Sequence, residues 1–422
     1  MTRPVCIVIP VFNKWELTAP CLESLRRHTD PDLFEVVVAD NASIDDTPAQ
    51  CPALGRELFG DAFRYLGFET NRNFGPACNA GAGTSDSEVV LFLNNDTLVT
   101  PGWLDALLPV VRQAEVGAVS PLLLYPEIGR LTDLVEHAGL AFEPRYHPNH
   151  VFEFFHRNHP AVRTRRSWQA LTGAALCLRR EVFEAAGGFH EEYVNGGEDV
   201  DLTLHVRQMG LDLAVVHDAV VYHLKSQTPG RFDSDPHNAA VLKGRCLGFI
   251  VPDLVHHLRR AGFDLRLGAM LQVCMEVPER RLRFLERRLE QVRIVDDLCD
   301  LIRKEPVFYP AYAALAQRES ALGRDEAAVM ALYLRYRVSR DEDHLVELRD
   351  VAERTGHEAM AAWARNGLSA YTDAKFNEMR DTAREMERLY AEVPEAGVAP
   401  LYRQWLERAD EIRERWFGNQ RG

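Results

Sequence analysis

The chain contains no run of about 18 apolar residues, so nothing in it reads as a membrane-spanning helix. Its first apolar run, residues 5–12, is short and leads into Pro-Val-Phe-Asn with no small-residue cleavage site, which suits a buried strand better than a secretory leader. The eight cysteines are scattered without a C-x-x-C pair or framework spacing, which excludes a disulfide scaffold and points to reduced thiols in a cytosolic protein. Basic residues are outnumbered, 49 Lys and Arg against 63 Asp and Glu, for a net charge of -14. That balance argues against a binder of nucleic acid or an anionic membrane, which needs clustered positive charge. No G-x-G-x-x-G follows the first strand and no lysine-bearing phosphate loop occurs, which argues against a dinucleotide enzyme or a nucleotidyltransferase.

What is present is a long, ordinary globular composition: 422 residues, 46% apolar and 27% charged, enough for two domains. The first half alternates strand and helix signals. Residues 5–11 are continuously apolar, as a strand buried on both faces should be. Leu17, Cys21, Leu22 and Leu25 then recur at helical spacing, with Pro20 requiring a late start or a kink. Strands are expected at residues 36–40, 63–68 and 89–93, with helices through 77–82 and 103–114. This alternation predicts a mostly parallel, doubly wound α/β sheet. Residues 124–168 lose the rhythm and hold five histidines among aromatics. Order resumes at 171–178, with a helix from Arg180, another after Gly197 and a strand over 215–223.

After about residue 250 the strand signal fades. Leu285, Leu289, Val292, Val295, Leu298 and Ile302 fall three or four apart, predicting one amphipathic helix. Further helices are expected over 309–322, 326–338, 345–355, 358–370, 373–392 and 400–416. The pair broken by Gly323 resembles a single tetratricopeptide-type hairpin, with no second copy at a fixed period. The expected division is therefore an α/β domain over 1–250 followed by an all-α domain over 251–422.

Three polar clusters follow strands directly: residues 10–13, 40–43 and 94–96. In an open parallel sheet these are carboxyl ends on one edge, where ligands bind. Each alone would pass for a turn or a cap; three together, with Asn71–Gly81 between them, point to a ligand edge. A second centre is Glu198-Asp199-Val200-Asp201, opening a helix that ends at Gly210. N-capping accounts for one acid, not for three in four positions, and Asp201 is the candidate for the structural role.

The ordered segments VIPVFN, VVADNASIDDT, NRNFGPACNAG, LFLNNDT, TGAALCLRREVF, GGFHEEYVNGGEDVDL and YH resemble the family 2 glycosyltransferases of GT-A fold, nearest to the rhamnosyltransferase-like branch, over roughly residues 3–230. The resemblance implies a GT-A domain with a donor part over about 1–115 and an acceptor part over about 116–250. It implies an inverting, metal-dependent transferase that moves a sugar from a UDP-, dTDP- or GDP-linked donor to a hydroxyl of a glycan, lipid-linked glycan or protein. Surface polysaccharide, O-antigen or protein-glycan assembly in the cytoplasm or at the inner face of the membrane would be its setting. The helical tail lies outside the resemblance and offers a surface for a second copy or a protein partner. The rival expectation is a scaffold of the same fold whose activity has been lost.

Residue by residue, the resemblance gives Asp40 to the nucleoside, with Pro10, Val11 and Asn13 lining the same pocket. Arg72, Asn73 and Gly75 would approach the base or diphosphate. LFLNNDT stands in the place of the family's D-x-D signature: Asp96 matches the aspartate that binds a divalent cation, and Asn95 a position that touches the ribose. Asn94 departs from the usual acid. His223 matches a further metal ligand, and an imidazole favours Mn²⁺ somewhat over Mg²⁺. Asp199 matches the base that deprotonates the acceptor, with Glu198 orienting the acceptor or the base. Thr172, Gly173 and Ala174 match a turn beneath the donor sugar. The histidines from His137 to His159 are expected on the surface of an acceptor loop, and Trp168 in packing.

Overall fold

A computed structural model describes residues 3–224, 234–393 and 397–417. In the first part, β1 (Val5–Val11), α1 (Trp15–His28), β2 (Phe34–Asp40), α2 (Thr47–Phe59), β3 (Phe63–Gly67) and α3 (Phe74–Ala82) alternate as predicted. There follow β4 (Val89–Leu93), β5 (Thr97–Val99), α4 (Trp103–Val111) and β6 (Val116–Leu124). The middle holds the short strands β7 (Val135–His137), β8 (Leu140–Phe142) and β9 (Pro148–His150), then the one-turn helix α5 (Pro160–Arg163). The rest of the α/β part is β10 (Ala175–Arg179), α6 (Arg180–Ala185), α7 (Glu198–Gln208) and β11 (Asp212–His223).

Nine strands make one sheet in the order β3-β2-β1-β4-β10-β6-β11-β5, with β7 on β6. β1 to β4, β6 and β11 run one way, and β10 runs against its neighbours β4 and β6. The expected mostly parallel α/β sheet is what forms. Period-two alternation explains why β1 reads as continuously apolar. Val5, Ile7 and Ile9 pack with Leu22 and Leu25 of α1 and Trp103 of α4. Cys6 and Val8 face the opposite layer, with Cys78 and Ala82 of α3.

β6 escapes the sequence reading. Its Pro121 normally argues against a central strand. Here Pro121 stands opposite Val216, where the register with β11 jumps to Val220. The irregularity absorbs the missing donor.

Beyond residue 234 lie α8 (Asp235–Cys246), α9 (Leu254–Arg260) and a hairpin of β12 (Asp264–Leu267) and β13 (Val273–Glu276), the last not foreseen. The single helix expected through Leu285 to Ile302 is two, α10 (Glu279–Gln291) and α11 (Val295–Lys304), because the backbone turns extended at Val292 and Ile294. The series continues with α12 (Pro310–Ala321), α13 (Asp325–Ser339), α14 (Glu342–Arg354), α15 (Glu358–Ser369), α16 (Asp373–Ala391), α17 (Ala399–Glu407) and α18 (Ala409–Ile412). Consecutive helices from α11 to α15 pack on one another. The α12–α13 turn uses Gly323 at φ 71, a conformation that favours glycine.

The helices share an apolar core with the sheet that runs from Cys6 to Phe417. Polar clasps cross the same boundary. Arg337 contacts Glu153 at 3.3 Å and Arg340 contacts Glu143 at 3.2 Å. Tyr390 donates to the Pro144 carbonyl at 2.7 Å. All of these hold the segment between β7 and α5, which borders the cleft described next.

Candidate active site

The carboxyl ends of β1, β4 and β11 meet the residues preceding β10 and α7 around a cleft of about 250 Å³. Pro10, Val11, Asn94, Asn95, Asp96, Thr172, Gly173, Ala174, Glu198, Asp199 and His223 all line it. β10 enters the sheet antiparallel, so the residues at its start share the edge on which the parallel strands end. Residues 225–233, which follow Leu224 directly, lie outside the described residues.

Five expected donor residues do not line the cleft, each for a visible reason. Asp40 is buried, and its carboxylate accepts the Ser43 amide at 3.0 Å together with the hydroxyls of Ser43 and Tyr65. Burial and the Asp40 charge raise the Tyr65 phenol well above its usual value, so Tyr65 remains the donor. Asn13, at φ 58, donates its amide to Ser43 Oγ at 2.7 Å and accepts from the Ile44 amide at 2.8 Å. Asp40 and Asn13 thus stitch the ends of β1 and β2 together. Arg72 is exposed, its guanidinium 4.4 Å from the centre of the Phe68 ring. Asn73, at φ 68, flanks α3. Gly75 is small because a Cβ there would lie 3.1 Å from Phe189 Cβ, so it serves packing. Asn41 takes the place on the cleft instead. Its amide oxygen accepts from Arg72 N at 3.2 Å and its Nδ2 donates to the Asn73 carbonyl at 3.1 Å.

In the LFLNNDT segment the three polar residues diverge. Asn95 Nδ2 donates to Thr18 Oγ1 of α1 at 2.9 Å. Asn94 holds the turn through its backbone, donating to the Ala174 carbonyl at 2.9 Å and accepting from Thr97 Oγ1 at 2.7 Å. Asp96, 8% exposed, directs Oδ1 at His223 Nε2 across 3.2 Å. On the other side of that ring, Nδ1 lies 3.4 Å from Glu136 Oε2. Burial alone would depress the His223 pKa; carboxylates on both ring nitrogens outweigh it and lift the value to about 9. Asp96 Oδ1 and both ring nitrogens are buried, yet form no well-oriented hydrogen bond among the described residues. A buried carboxylate and imidazole that meet at a cleft without bonding each other well fit a divalent cation. The wider electrostatics agree: Asp96, Glu136, Glu198 and Asp199 line the cleft against the ammonium of Lys14.

Asp199 lies in the first turn of α7. Oδ2 accepts the Gly173 amide at 2.6 Å and Oδ1 the Val200 amide at 2.8 Å. A Cβ on Gly173 would stand 3.1 Å from Asp199 Cβ, so glycine is what lets the two segments close. Glu198 accepts the Gly196 amide at 2.7 Å. Asp201 points away, held by Arg245 Nε at 2.6 Å and the Tyr193 hydroxyl at 2.9 Å. Burial would raise the Asp201 pKa, but these donors override it and lower it. With His205 and Cys246 alongside it forms a group of metal-ligand type, but Arg245 already neutralises the carboxylate.

Glu136 went unnoticed in the sequence, His150 was expected on the acceptor-loop surface but lines the cleft, and the expectation of surface histidines fails outright at His137, which is fully buried. β7 is only three residues long within a segment without period, so no pattern marks its inward side chain. Trp168 is packed, as expected, against Gly139.

The model of "Glycosyl transferase family 2" matches residues 6–183. The O-antigen biosynthesis protein RfbC of Myxococcus xanthus is 32% identical over 231 residues, 53% of this chain but 18% of that protein. N-acetylglucosaminyl-diphospho-decaprenol L-rhamnosyltransferase of Mycobacterium tuberculosis is 30% identical over 256 residues, 55% of this chain and 81% of that one. Pre-mycofactocin glycosyltransferase of the same organism is 27% identical over 223 residues, 52% of this chain and 43% of that one. The chain thus spans well under two thirds of the first and third of these relatives.

Proposed function

Because the chain belongs to glycosyl transferase family 2, we propose that it transfers a sugar from a nucleotide-diphosphate donor to a hydroxyl acceptor in glycan assembly, with inversion and with a divalent cation. The observation that carries this is one cleft flanked by the Asp96–His223 pair and by Asp199. An anionic diphosphate entering among four carboxylates needs a positive counterpart, and Asp96 with His223 would hold it. When bound, the cation neutralises charge on the departing diphosphate. The Asp199 carboxylate takes the acceptor proton as the new C–O bond forms and the bond to the diphosphate breaks. Inversion follows from this single displacement.

We assign the nucleoside to Pro10, Val11 and Asn41, and the ribose to the face of Asn95 not occupied by Thr18. Asp40 and Asn13 act beneath them by holding the loop, and Gly75 by packing. Thr172, Gly173 and Ala174 leave room for the donor sugar, and Glu198 steadies the loop before α7. Residues 1–250 would constitute the transferase and 251–422 its helical support. Rhamnose delivered to a lipid-diphosphate-linked sugar is the chemistry named for the mycobacterial relative, so dTDP-linked deoxysugars belong in the first trial.

The test is a thermal-shift panel of UDP-, dTDP- and GDP-sugars with and without Mn²⁺. A donor at about 100 times its Kd stabilises the fold by about 2.7 kcal/mol. That shift should need Mn²⁺ and should vanish in Asp96→Ala. Full metal-stimulated turnover in Asp96→Ala would place the cation elsewhere.

A further inference from the structure

We propose that Glu136 is a positioning residue for the cation site: it grips His223 from behind and turns Nε2 toward the cleft beside Asp96. This inference rests on the cation reading given above, and three independent features carry it. The first is the alignment itself. Asp96 Oδ1 lies 3.2 Å from His223 Nε2, and Glu136 Oε2 lies 3.4 Å from Nδ1, so the ring is bracketed along its two nitrogens. The second is burial. Glu136 is 1% exposed and His223 3%, and a carboxylate so placed is found where it is paired.

The third is backbone construction. β7 and β11 both pair with β6. In the β6–β7 ladder His137 stands opposite Leu123 and Val135 opposite Leu124, which leaves Glu136 as the unmatched residue of a bulge. Bulges re-aim a side chain and gather beside active sites. The bulge is held by hydrogen bonds from Val135 N to Phe155 O at 2.8 Å and from Phe154 N to Val135 O at 2.7 Å. The second carboxylate oxygen stands 4.0 Å from His150 Nδ1, which keeps the carboxylate facing this row of groups.

The chemistry that follows is that of a carboxylate behind a ligating histidine. Accepting the Nδ1 proton fixes the ring, so that Nε2, on giving up its own proton, is the nitrogen that would ligate, with its basicity raised. Glu136 meets the ring at Nδ1, opposite the nitrogen that faces Asp96, so its part is orientation.

The experiment compares wild type, Glu136→Gln and Glu136→Asp by calorimetric titration with Mn²⁺. It adds melting curves in chelator and the proton resonance of the His223 Nδ1–H in metal-free protein. Glu136→Gln should weaken Mn²⁺ binding by about 10–100-fold. It should leave the metal-free melting temperature close to wild type and move the Nδ1–H resonance upfield. Glu136→Asp keeps the charge and should recover part of the affinity, and it carries the comparison should the glutamine variant fold poorly. Mn²⁺ binding by wild type, with both variants within about threefold of it and the resonance unmoved, overturns the proposal. If wild type binds no Mn²⁺ but the resonance moves in Glu136→Gln, the cation reading fails while the grip of Glu136 on His223 stands.

Discussion

Replacing Asp199 with Asn separates chemistry from structure in a way the geometry makes quantitative. The wild-type carboxylate accepts two amides, Gly173 N at 2.6 Å and Val200 N at 2.8 Å, one on each oxygen. Asparagine is isosteric but offers one acceptor oxygen, so one amide must face an NH₂ group. For a half-buried side chain that costs about 1 kcal/mol of stability, the low end of the penalty for an unmet donor. The catalytic loss is of a different size, because an amide cannot take a proton from the acceptor hydroxyl. General-base catalysis is worth about 10²–10⁴-fold, or about 3–5 kcal/mol of barrier. The assay is steady-state turnover of the donor selected by thermal shift, with donor and Mn²⁺ binding measured on the same preparation. The expected result is intact donor binding, a slightly lower melting temperature and turnover reduced at least a hundredfold. Turnover within a few-fold of wild type, with donor binding retained, would refute the assignment of the base.

Gly173→Ala should act through the same residue. The added methyl would lie 3.1 Å from Asp199 Cβ and 3.3 Å from Phe74 Cζ, forcing a displacement of a few tenths of an ångström. Since about 1 Å of misplacement costs about 10²-fold, kcat should fall by about tenfold or less, read at saturating donor because Gly173 also borders the space assigned to the donor sugar. His159 tests a site far from the chemistry. Burial, then the nearby Arg281, lowers its pKa from 6.5 to about 4. Between those values the unfolded chain binds the proton and the fold does not, so stability is lost as pH falls from 6.5 toward 4. His159→Asn keeps a side-chain acceptor for the Ala161 amide, which His159 Nδ1 meets at 3.1 Å. It should therefore lose less melting temperature than wild type between pH 7 and pH 4.5; an equal loss in both proteins would remove His159 as a contributor.

The site residues fall into two groups by how their signals arise. Asp96, Asp199, Glu198, Thr172, Gly173 and Ala174 sit at element ends, where a break in apolar pattern marks the boundary and the parallel sheet dictates which edge it joins. These were legible. Asp40, Asn13 and Gly75 sit in equally conspicuous segments, yet Asp40 and Gly75 are buried and Asn13 is taken up by hydrogen bonds with Ser43 and Ile44. A sequence motif identifies a loop but not which of its side chains face outward. In the DNAS loop, Asp40 is the buried anchor and the adjacent Asn41 is the residue on the cleft. Pro121 shows the same limit from another side, because the register jump that accommodates it in β6 belongs to the partner strand, 95 residues further on at Val216.

The amino-acid sequence by itself determined the α/β sheet, the helical tail and the edge where chemistry would gather, because period, caps and strand ends are local properties. Only the tertiary structure decided that Glu136 stands behind His223. That contact joins residues from β7 and β11 across β6, and it depends on a one-residue bulge. Likewise the change of period near residue 250 is visible in the sequence. That the helical part supports the cleft wall, through Arg337 on Glu153 and Arg340 on Glu143, is a matter of long-range packing that no local pattern encodes.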